Sequence, residues 1–169
     1  CTTTALTHGH FDHYHLPTLL KLSDRPLIAP RVPRASIVCE DLGARLRQFS
    51  HPDLRTPEWH STVEFDEIRL HVLPFYGEQF LTSEIYPDAR NWGNAYIVEC
   101  EGVRVLVAVD SGFEPGRSVI DLVAEWVEGN GPIDIVAAQS IGLRTAFGGG
   151  DPDLQITALA CASRAHEAV

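Results

Sequence analysis

The feature that most constrains the fold is a cluster of histidines and an aspartate near the beginning of the chain. Three imidazoles and one carboxylate fall within six consecutive positions, as His8, His10, Asp12 and His13. Side chains two residues apart in an extended segment point the same way. His8 and His10 can therefore bind one metal ion, while the following turn carries Asp12 and His13 towards a second. The alternative is a solvated histidine-rich turn or the remnant of a purification tag.

The donor types and the flanking residues both favour a metal site. Imidazole and carboxylate are typical ligands of zinc, iron and manganese. The absence of paired cysteines nearby argues against a closed, sulfur-rich structural site. Residues 3–7 predict a short strand that leads into the cluster. A helix is predicted to follow over residues 16–23, where Pro17 suits the first turn.

The pattern of this cluster resembles the His-x-His-x-Asp-His motif of the metallo-β-lactamase superfamily, and it matches at every position of that motif. The resemblance implies an α/β fold, a four-layer α/β/β/α sandwich. Members carry several strands ahead of the motif, so these first strands are expected to be missing from this chain. A start at Cys1 and the absence of methionine also favour a fragment or omitted residues. We therefore expect residues 1–169 to form a single, incomplete domain of this type.

The size and charge of the chain argue against some classes of binding partner. A length of 169 residues, 44% of them hydrophobic, allows one substantial core. No apolar run reaches membrane-spanning length, so no membrane partner is expected. The formal net charge is −10 and Lys21 is the only lysine. Nucleic acid is therefore not expected as a partner, because an acidic surface repels phosphates.

The positions of the cysteines indicate the kind of cellular compartment in which the chain is expected. Their scattered positions suggest neither a zinc ribbon nor a disulfide scaffold. They are expected to be small buried residues in a reducing compartment, which favours the cytoplasm. The four are Cys1, Cys39, Cys100 and Cys161.

A second acidic residue is placed at the end of an apolar strand. Residues 103–109 are almost continuously apolar and are predicted to be buried on both faces. A carboxylate after such a strand, here Asp110, is costly unless a cation meets it. Val109-Asp110-Ser111-Gly112 also resembles the segment in which the superfamily carries an aspartate that bridges two ions. The alternative is an aspartate that caps the next turn.

One position departs from the pattern of the superfamily. Its next ligand is commonly a histidine just past a strand, here predicted over residues 65–73, but the nearest ligating side chain in this chain is Glu78. A glutamate adds negative charge and shifts the preference towards iron or manganese. The alternative is that Glu78 is an ordinary loop acid, with Glu84, Asp88 or nothing in its place.

The four histidines after residue 50 are expected to lie on the surface. His51 and His60 lack a partner at ligand spacing, and His71 falls on the polar side of its predicted strand. The superfamily's last ligand is a histidine after a late strand, whereas His166 lies in a stretch that is predicted to be helical. That ligand is therefore expected beyond Val169 or among residues not shown, with His166 left open as a candidate.

The rest of the chain predicts alternating helices and strands. Additional helices are predicted over residues 35–49, 118–128 and 152–169. Additional strands are predicted over residues 26–30, 95–100 and 133–138. The polar connection over residues 79–94 is predicted to line a substrate site, since loops beside a metal site commonly do so.

Together, these features imply a metal-dependent hydrolase with a dinuclear centre. The implied metal ligands are His8, His10, Asp12, His13, Glu78 and Asp110. Two divalent ions, zinc first and iron or manganese next, would activate water for attack on an ester, lactone, thioester or phosphodiester of a small molecule. Asp12 would be catalytic, orienting that water or accepting its proton.

Two other functions remain open. Some members of the superfamily bind two irons and activate oxygen, among them flavo-diiron proteins and the β-hydroxylases of peptide-antibiotic assembly lines. An acidic third ligand such as Glu78 resembles these branches, so a non-haem diiron oxygenase is the first alternative. The second is a degenerate member that keeps the fold as a binding module without bound metal.

Overall fold

The fold is seen in a computed structural model that describes residues 3–10, 13–35, 39–49, 53–76, 92–111, 113–114 and 117–137. Its helices are α1 (Leu16–Lys21), α2 (Leu42–Gln48) and α3 (Val119–Asn130). Its strands are β1 (Thr4–Ala5), β2 (Leu27–Ile28), β3 (Leu54–Arg55), β4 (Thr62–Phe65), β5 (Ile68–Pro74), β6 (Asn94–Cys100), β7 (Val103–Val107), β8 (Phe113–Glu114), β9 (Arg117–Ser118) and β10 (Ile135–Ala137).

Two sheets and a short ribbon contain these strands. Strands β1, β2 and β3 form a parallel sheet. The larger sheet has the order β10-β7-β6-β5-β4 and is antiparallel, except that β10 runs parallel to β7. Strands β8 and β9 pair only with each other among the described residues.

Alternation along the strands sorts the core into layers. In β2, Leu27 packs with Leu46 of α2, whereas Ile28 packs with Tyr96 of the larger sheet. In β6, Ile97 points the other way and packs with Val123 of α3. Neighbouring strand residues face opposite sides of a sheet, so the order is helices, sheet, sheet, helix. This is the four-layer α/β/β/α sandwich that the resemblance implies.

The three helices begin where local signals favour it. Pro17 lies in the first turn of α1, as predicted. A capping box starts α3, in which the Ser118 hydroxyl accepts from the Asp121 N–H and the Asp121 carboxylate accepts from the Ser118 N–H. The predicted helix over residues 35–49 was wrong in its start. Asp41 caps α2 by accepting a 2.8 Å bond from the Ala44 N–H, so the helix begins only at Leu42.

The hairpin between β6 and β7 forms as predicted, but β7 is less buried than expected. Glu101 and Gly102 both have positive φ, 50° and 81°, as a two-residue type I′ turn requires. Val103 is nevertheless 45% exposed, because it follows the turn at the open end of the strand. In β10, Ile135 is 53% exposed, since among the described residues this strand lies at the sheet edge.

The prediction that His71 is solvated was also wrong. Its side chain is only 15% exposed, with Nδ1 3.0 Å from Thr62 Oγ1 and Nε2 3.3 Å from Glu99 Oε2. Helix α3 covers this face of the sheet, and the Trp126 ring packs edge-on against the imidazole at 5.0 Å. His60 is exposed, as predicted.

Several other predictions can be compared with the described residues. Cys39 is buried, as expected, whereas Cys100 is only half-buried. Among these residues no helix is both long and apolar enough to cross a membrane. Outside the described ranges lie the helix over residues 152–169 and the following single residues: Cys1, Asp12, His51, Glu78, Glu84, Asp88, Cys161 and His166.

Candidate metal centre

The candidate site lies where several strand ends meet at one edge of the sheets. Strand β6 is antiparallel to β5 and β7, so its beginning lies beside the ends of those two strands. The segment that follows β1 is joined to the same edge. The Thr7 carbonyl accepts a 2.6 Å bond from the Asn94 N–H, and His8 forms an isolated bridge with Gly93. The topology thus brings the N-terminal cluster to the place where β7 delivers Asp110.

Four of the six predicted ligands converge there. His8 Nε2 lies 3.1 Å from His10 Nδ1 and 3.5 Å from Asp110 Oδ2. The ligating atoms of these three residues all lie within 4.8 Å of one another. His13 Nε2 lies 2.7 Å from the same Asp110 oxygen, and its ring centroid is 4.2 Å from that of His8. Asp12 and Glu78 lie outside the described residues.

The spacing of these atoms fits a metal ion. Donor atoms about 2.0–2.1 Å from a common ion lie about 2.9–3.4 Å from each other in octahedral or tetrahedral geometry. The distances of 3.1 Å and 3.5 Å from His8 Nε2 are close to this range. Two imidazole nitrogens and a carboxylate oxygen suit zinc and iron alike. The three side chains therefore fit one metal ion, with His13 beside the carboxylate that would reach a second.

The surroundings of His8 fix the position of its ring. The residue is fully buried, and its ring stacks on that of Phe75 at 4.9 Å and 26°. Its Nδ1 is 3.2 Å from Thr7 Oγ1, which can accept the ring proton. A ligating histidine commonly donates its other N–H in this way and binds the metal through the opposite ring nitrogen, here Nε2. The sequence analysis missed Thr7 and Phe75, since neither has a spacing that marks it.

Asp110 is placed by an unusual backbone conformation. Its φ of 56° lies in the left-handed region, which aspartate and asparagine tolerate better than most residues other than glycine. The next residue ties this turn to the end of β5, because Ser111 Oγ accepts a 3.1 Å bond from the Tyr76 N–H. The turn directs the carboxylate towards His8 and His13.

A cavity of about 310 Å³ involves the described end of the connection over residues 79–94. Its lining residues are Arg31, Pro33, Pro57, Glu58, Trp59 and Trp92. The two tryptophan rings lie 5.4 Å apart, and the Trp59 indole donates to the Gly93 carbonyl at 2.9 Å. The cavity wall is thus connected to the residue that pairs with His8.

Comparisons with known proteins identify the fold. No family model and no curated protein sequence matches the chain. The structure of CmlA, a diiron beta-hydroxylase from Streptomyces venezuelae, matches 79% of the chain with a TM-score of 0.64 and 25% identity. A mutant of CmlA matches 98% of it with a TM-score of 0.70 and 22% identity. Both have the metallo-β-lactamase fold. The chain has the metallo-β-lactamase fold.

Other proteins with the metallo-β-lactamase fold match at lower identity. A possible metal-dependent hydrolase from Veillonella parvula matches 82% of the chain with a TM-score of 0.59 and 15% identity. Unliganded yeast PDE1 matches 98% of it with a TM-score of 0.57 and 14% identity. These two likenesses concern the fold alone.

The chain corresponds to only part of each of these proteins. It spans 24% and 34% of the two CmlA chains, 48% of the Veillonella protein and 52% of PDE1. The metallo-β-lactamase fold, the convergent side chains and the metal-dependent proteins among these neighbours together support a metal-dependent function.

Proposed function

We propose that the chain forms the dinuclear metal centre of an enzyme that acts on a small molecule. The observation that carries this proposal is the convergence of His8, His10, His13 and Asp110 at one edge of the sheets. Asp110 lies 97 to 102 positions after the three histidines in the sequence (110 − 13 and 110 − 8). A buried imidazole beside a carboxylate and two further imidazoles is costly to assemble without a bound cation.

Of the two reactions that such a centre supports, we favour oxygen-dependent hydroxylation by two irons. The first reason is the likeness to CmlA, at 25% identity over 79% of the chain. The second is Glu78, which would give the ligand set three carboxylates, together with Asp12 and Asp110. A more anionic set balances the higher charge of oxidised iron, whereas a histidine in place of Glu78 would suit zinc.

Each side chain of the site has a definite task in this proposal. Bound iron would supply the electrons with which dioxygen is activated. His8 would bind through Nε2, since its Nδ1 is already held by Thr7 Oγ1, and Phe75 keeps water from the ring. Asp110 contacts both His8 and His13, so its carboxylate would help to hold a metal ion bound beside either histidine. Asp12 would hold or accept a proton beside them.

Hydrolysis remains the second candidate, and it is the function that the sequence alone placed first. Its support is that His8, His10, His13 and Asp110 suit zinc as well as iron. A zinc-bound water has a pKa of about 7 and is nucleophilic at neutral pH. Asp12 would then orient that water, and the substrate would be an ester, lactone, thioester or phosphodiester.

Metal analysis of protein purified without added metal tests the proposal. We expect two irons per chain, and oxygen uptake when the reduced, iron-loaded protein is exposed to air. His8→Ala should lose both iron and oxygen uptake. His60→Asn should keep both, because His60 is an exposed histidine with a φ of 64°, which asparagine tolerates.

Other results would change the assignment. Two zinc ions with turnover of an ester, lactone, thioester or phosphodiester would replace oxygenation by hydrolysis. Protein that binds neither iron nor zinc when either is supplied would refute both reactions and leave the binding module.

A further inference from the structure

We propose that Gly93 is a positioning residue for His8. A chain of hydrogen bonds through Trp59, Asn94 and Tyr96 holds both Gly93 and the backbone that precedes His8 in place. The inference rests on the proposed function, since the residue that is positioned is a proposed metal ligand. None of these four residues is a candidate ligand. They act on the metal only through the backbone on which His8 is mounted.

The first observation is the lack of space for any side chain at Gly93. A Cβ atom there would lie 2.7 Å from the Thr7 carbonyl oxygen, 2.8 Å from His8 Cβ and 2.8 Å from Phe75 Cγ. Non-bonded carbon atoms pack at about 3.5–4.0 Å, so one methyl group would require a displacement of about 0.7 Å or more. His8 and Phe75 are both fully buried and stacked on each other, so neither can yield outward without disturbing the core.

A displacement of this size matters at a metal site. Ligating groups have to be held within about 0.5 Å of their productive position. His8 Nε2 is the atom from which both His10 Nδ1 and Asp110 Oδ2 are within 3.5 Å. Moving His8 would therefore open the ligand set at its centre. A glycine at position 93 is what allows β6 to approach the backbone of the cluster.

The second observation is that the two carbonyls before His8 are both fixed by β6. The Tyr96 hydroxyl donates a 2.6 Å bond to the Leu6 carbonyl, and the Asn94 N–H donates a 2.6 Å bond to the Thr7 carbonyl. Burial raises the pKa of the Tyr96 hydroxyl well above its ordinary value, so this group remains a donor. The backbone that enters His8 is thus held at two consecutive peptide groups.

Two buried side chains complete this chain of bonds. The Asn94 amide donates to Tyr96 Oη at 2.9 Å, and its Oδ1 accepts from the Trp59 indole at 3.2 Å. The same indole donates to the Gly93 carbonyl at 2.9 Å. Asn94 and Tyr96 are 1% and 2% exposed, so each bond replaces one to water that the buried group has lost. The Trp59 indole is shared between two acceptors, Asn94 Oδ1 and the Gly93 carbonyl, so it joins the side-chain bonds to the backbone at Gly93.

The main test compares two identical substitutions. Gly93→Ala should weaken the binding of Zn²⁺ or Fe²⁺ at least tenfold, measured by calorimetry on metal-free protein, with the circular dichroism spectrum retained. Gly129→Ala is the matched control, because a Cβ at that position in α3 meets no atom within 4 Å. We expect it to bind metal as the wild type does.

A second readout does not depend on metal. Diethyl pyrocarbonate modifies accessible imidazoles, and mass spectrometry can locate the modified histidines. In metal-free wild type, His8 should be protected and the exposed His60 should react. In Gly93→Ala, His8 should become at least severalfold more reactive while His60 is unchanged. If the wild type binds no metal, the proposed function fails, and this experiment still decides whether Gly93 positions His8.

Tyr96→Phe keeps the proposal testable if Gly93→Ala does not fold. The substitution retains the buried ring and removes only the hydroxyl that holds the Leu6 carbonyl. We expect weaker metal binding and greater reactivity of His8 in a folded protein. Unchanged metal affinity and continued protection of His8 in the folded variants would overturn the proposal, and would leave Gly93 and Tyr96 as packing residues only.

Discussion

Replacing Asp110 by asparagine would remove one negative charge and one candidate metal ligand without changing the backbone. Asparagine has the same size as aspartate and tolerates the φ of 56° at this position. Its amide oxygen can still accept the bond from His13 Nε2, which is 2.7 Å from the carboxylate in the wild type. We therefore expect the metal-free protein to lose less than about 1 kcal/mol of stability.

The effect on the metal-loaded protein should be much larger. Changing a residue that only orients a metal ligand already lowers metal affinity roughly 10–100-fold, so loss of the proposed ligand Asp110 should lower it at least about 100-fold. At a metal concentration 1,000 times the wild-type Kd, binding stabilises the folded state by about 4.1 kcal/mol. A 100-fold weaker site retains about 1.4 kcal/mol under the same conditions. The difference of about 2.7 kcal/mol lowers the Tm by roughly 5–11 °C in a chain of this size.

Thermal denaturation with and without added metal measures this difference directly. The matched control is Asp66→Asn, which makes the same chemical change at another aspartate of positive φ, 49°, in the exposed turn between β4 and β5. This control should show the full metal-dependent rise in Tm. An equally full rise in Asp110→Asn would refute the assignment of Asp110 as a ligand, whatever the affinity of the other residues.

Three further predictions address the helix cap, the core and the metal preference. Hydrogen bonds from Ser118 lower the pKa of the Asp121 carboxyl below its ordinary value of 3.8, so its contribution to stability is present above that value and lost as the pH falls through the folded-state pKa. Asp121→Asn should therefore lower the Tm at neutral pH but not at a pH where the wild-type carboxyl is protonated; an equal effect at both would contradict this. Leu46→Ala should cost about 2–5 kcal/mol in urea denaturation, because Leu46 is fully buried between α2 and the parallel sheet. A loss well below this range would mean that this layer is not closely packed. Glu78→His should raise the zinc-to-iron ratio of the purified protein and reduce oxygen uptake; an unchanged ratio would remove Glu78 from the ligand set.

Much of the site could be predicted because its signals are local. The order of donors from His8 to His13 is visible in six residues, and Asp110 is marked by the apolar strand before it. The start of α3 at Ser118 is a similar case, since a capping box involves residues only three apart. The resemblance then supplied what no local pattern contains, namely that the two segments meet.

The prediction for His71 was wrong because the burial of this residue depends on a distant part of the chain. The alternation in β5 correctly separated its two faces, but the pattern cannot say whether a helix covers the more polar one. Trp126, which packs on His71, lies 55 residues further along, by subtraction of the two positions. The start of α2 was missed for another reason. Helical spacing continues upstream of Asp41, and the cap is decided by its side-chain bond to Ala44 rather than by hydrophobic spacing.

The role proposed for β6 shows most clearly why a sequence pattern is insufficient at this site. Residues 95–100 are predicted as an apolar strand and Asn94 as the end of the connection before it, and no spacing in the sequence marks Asn94 or Tyr96 as a residue that holds His8. Their polar atoms matter because the Leu6 and Thr7 carbonyls lie opposite them, about 90 positions earlier in the chain. The same contacts join the parallel sheet to the larger one. We therefore expect a change to these bonds to disturb both the packing between the sheets and the position of His8.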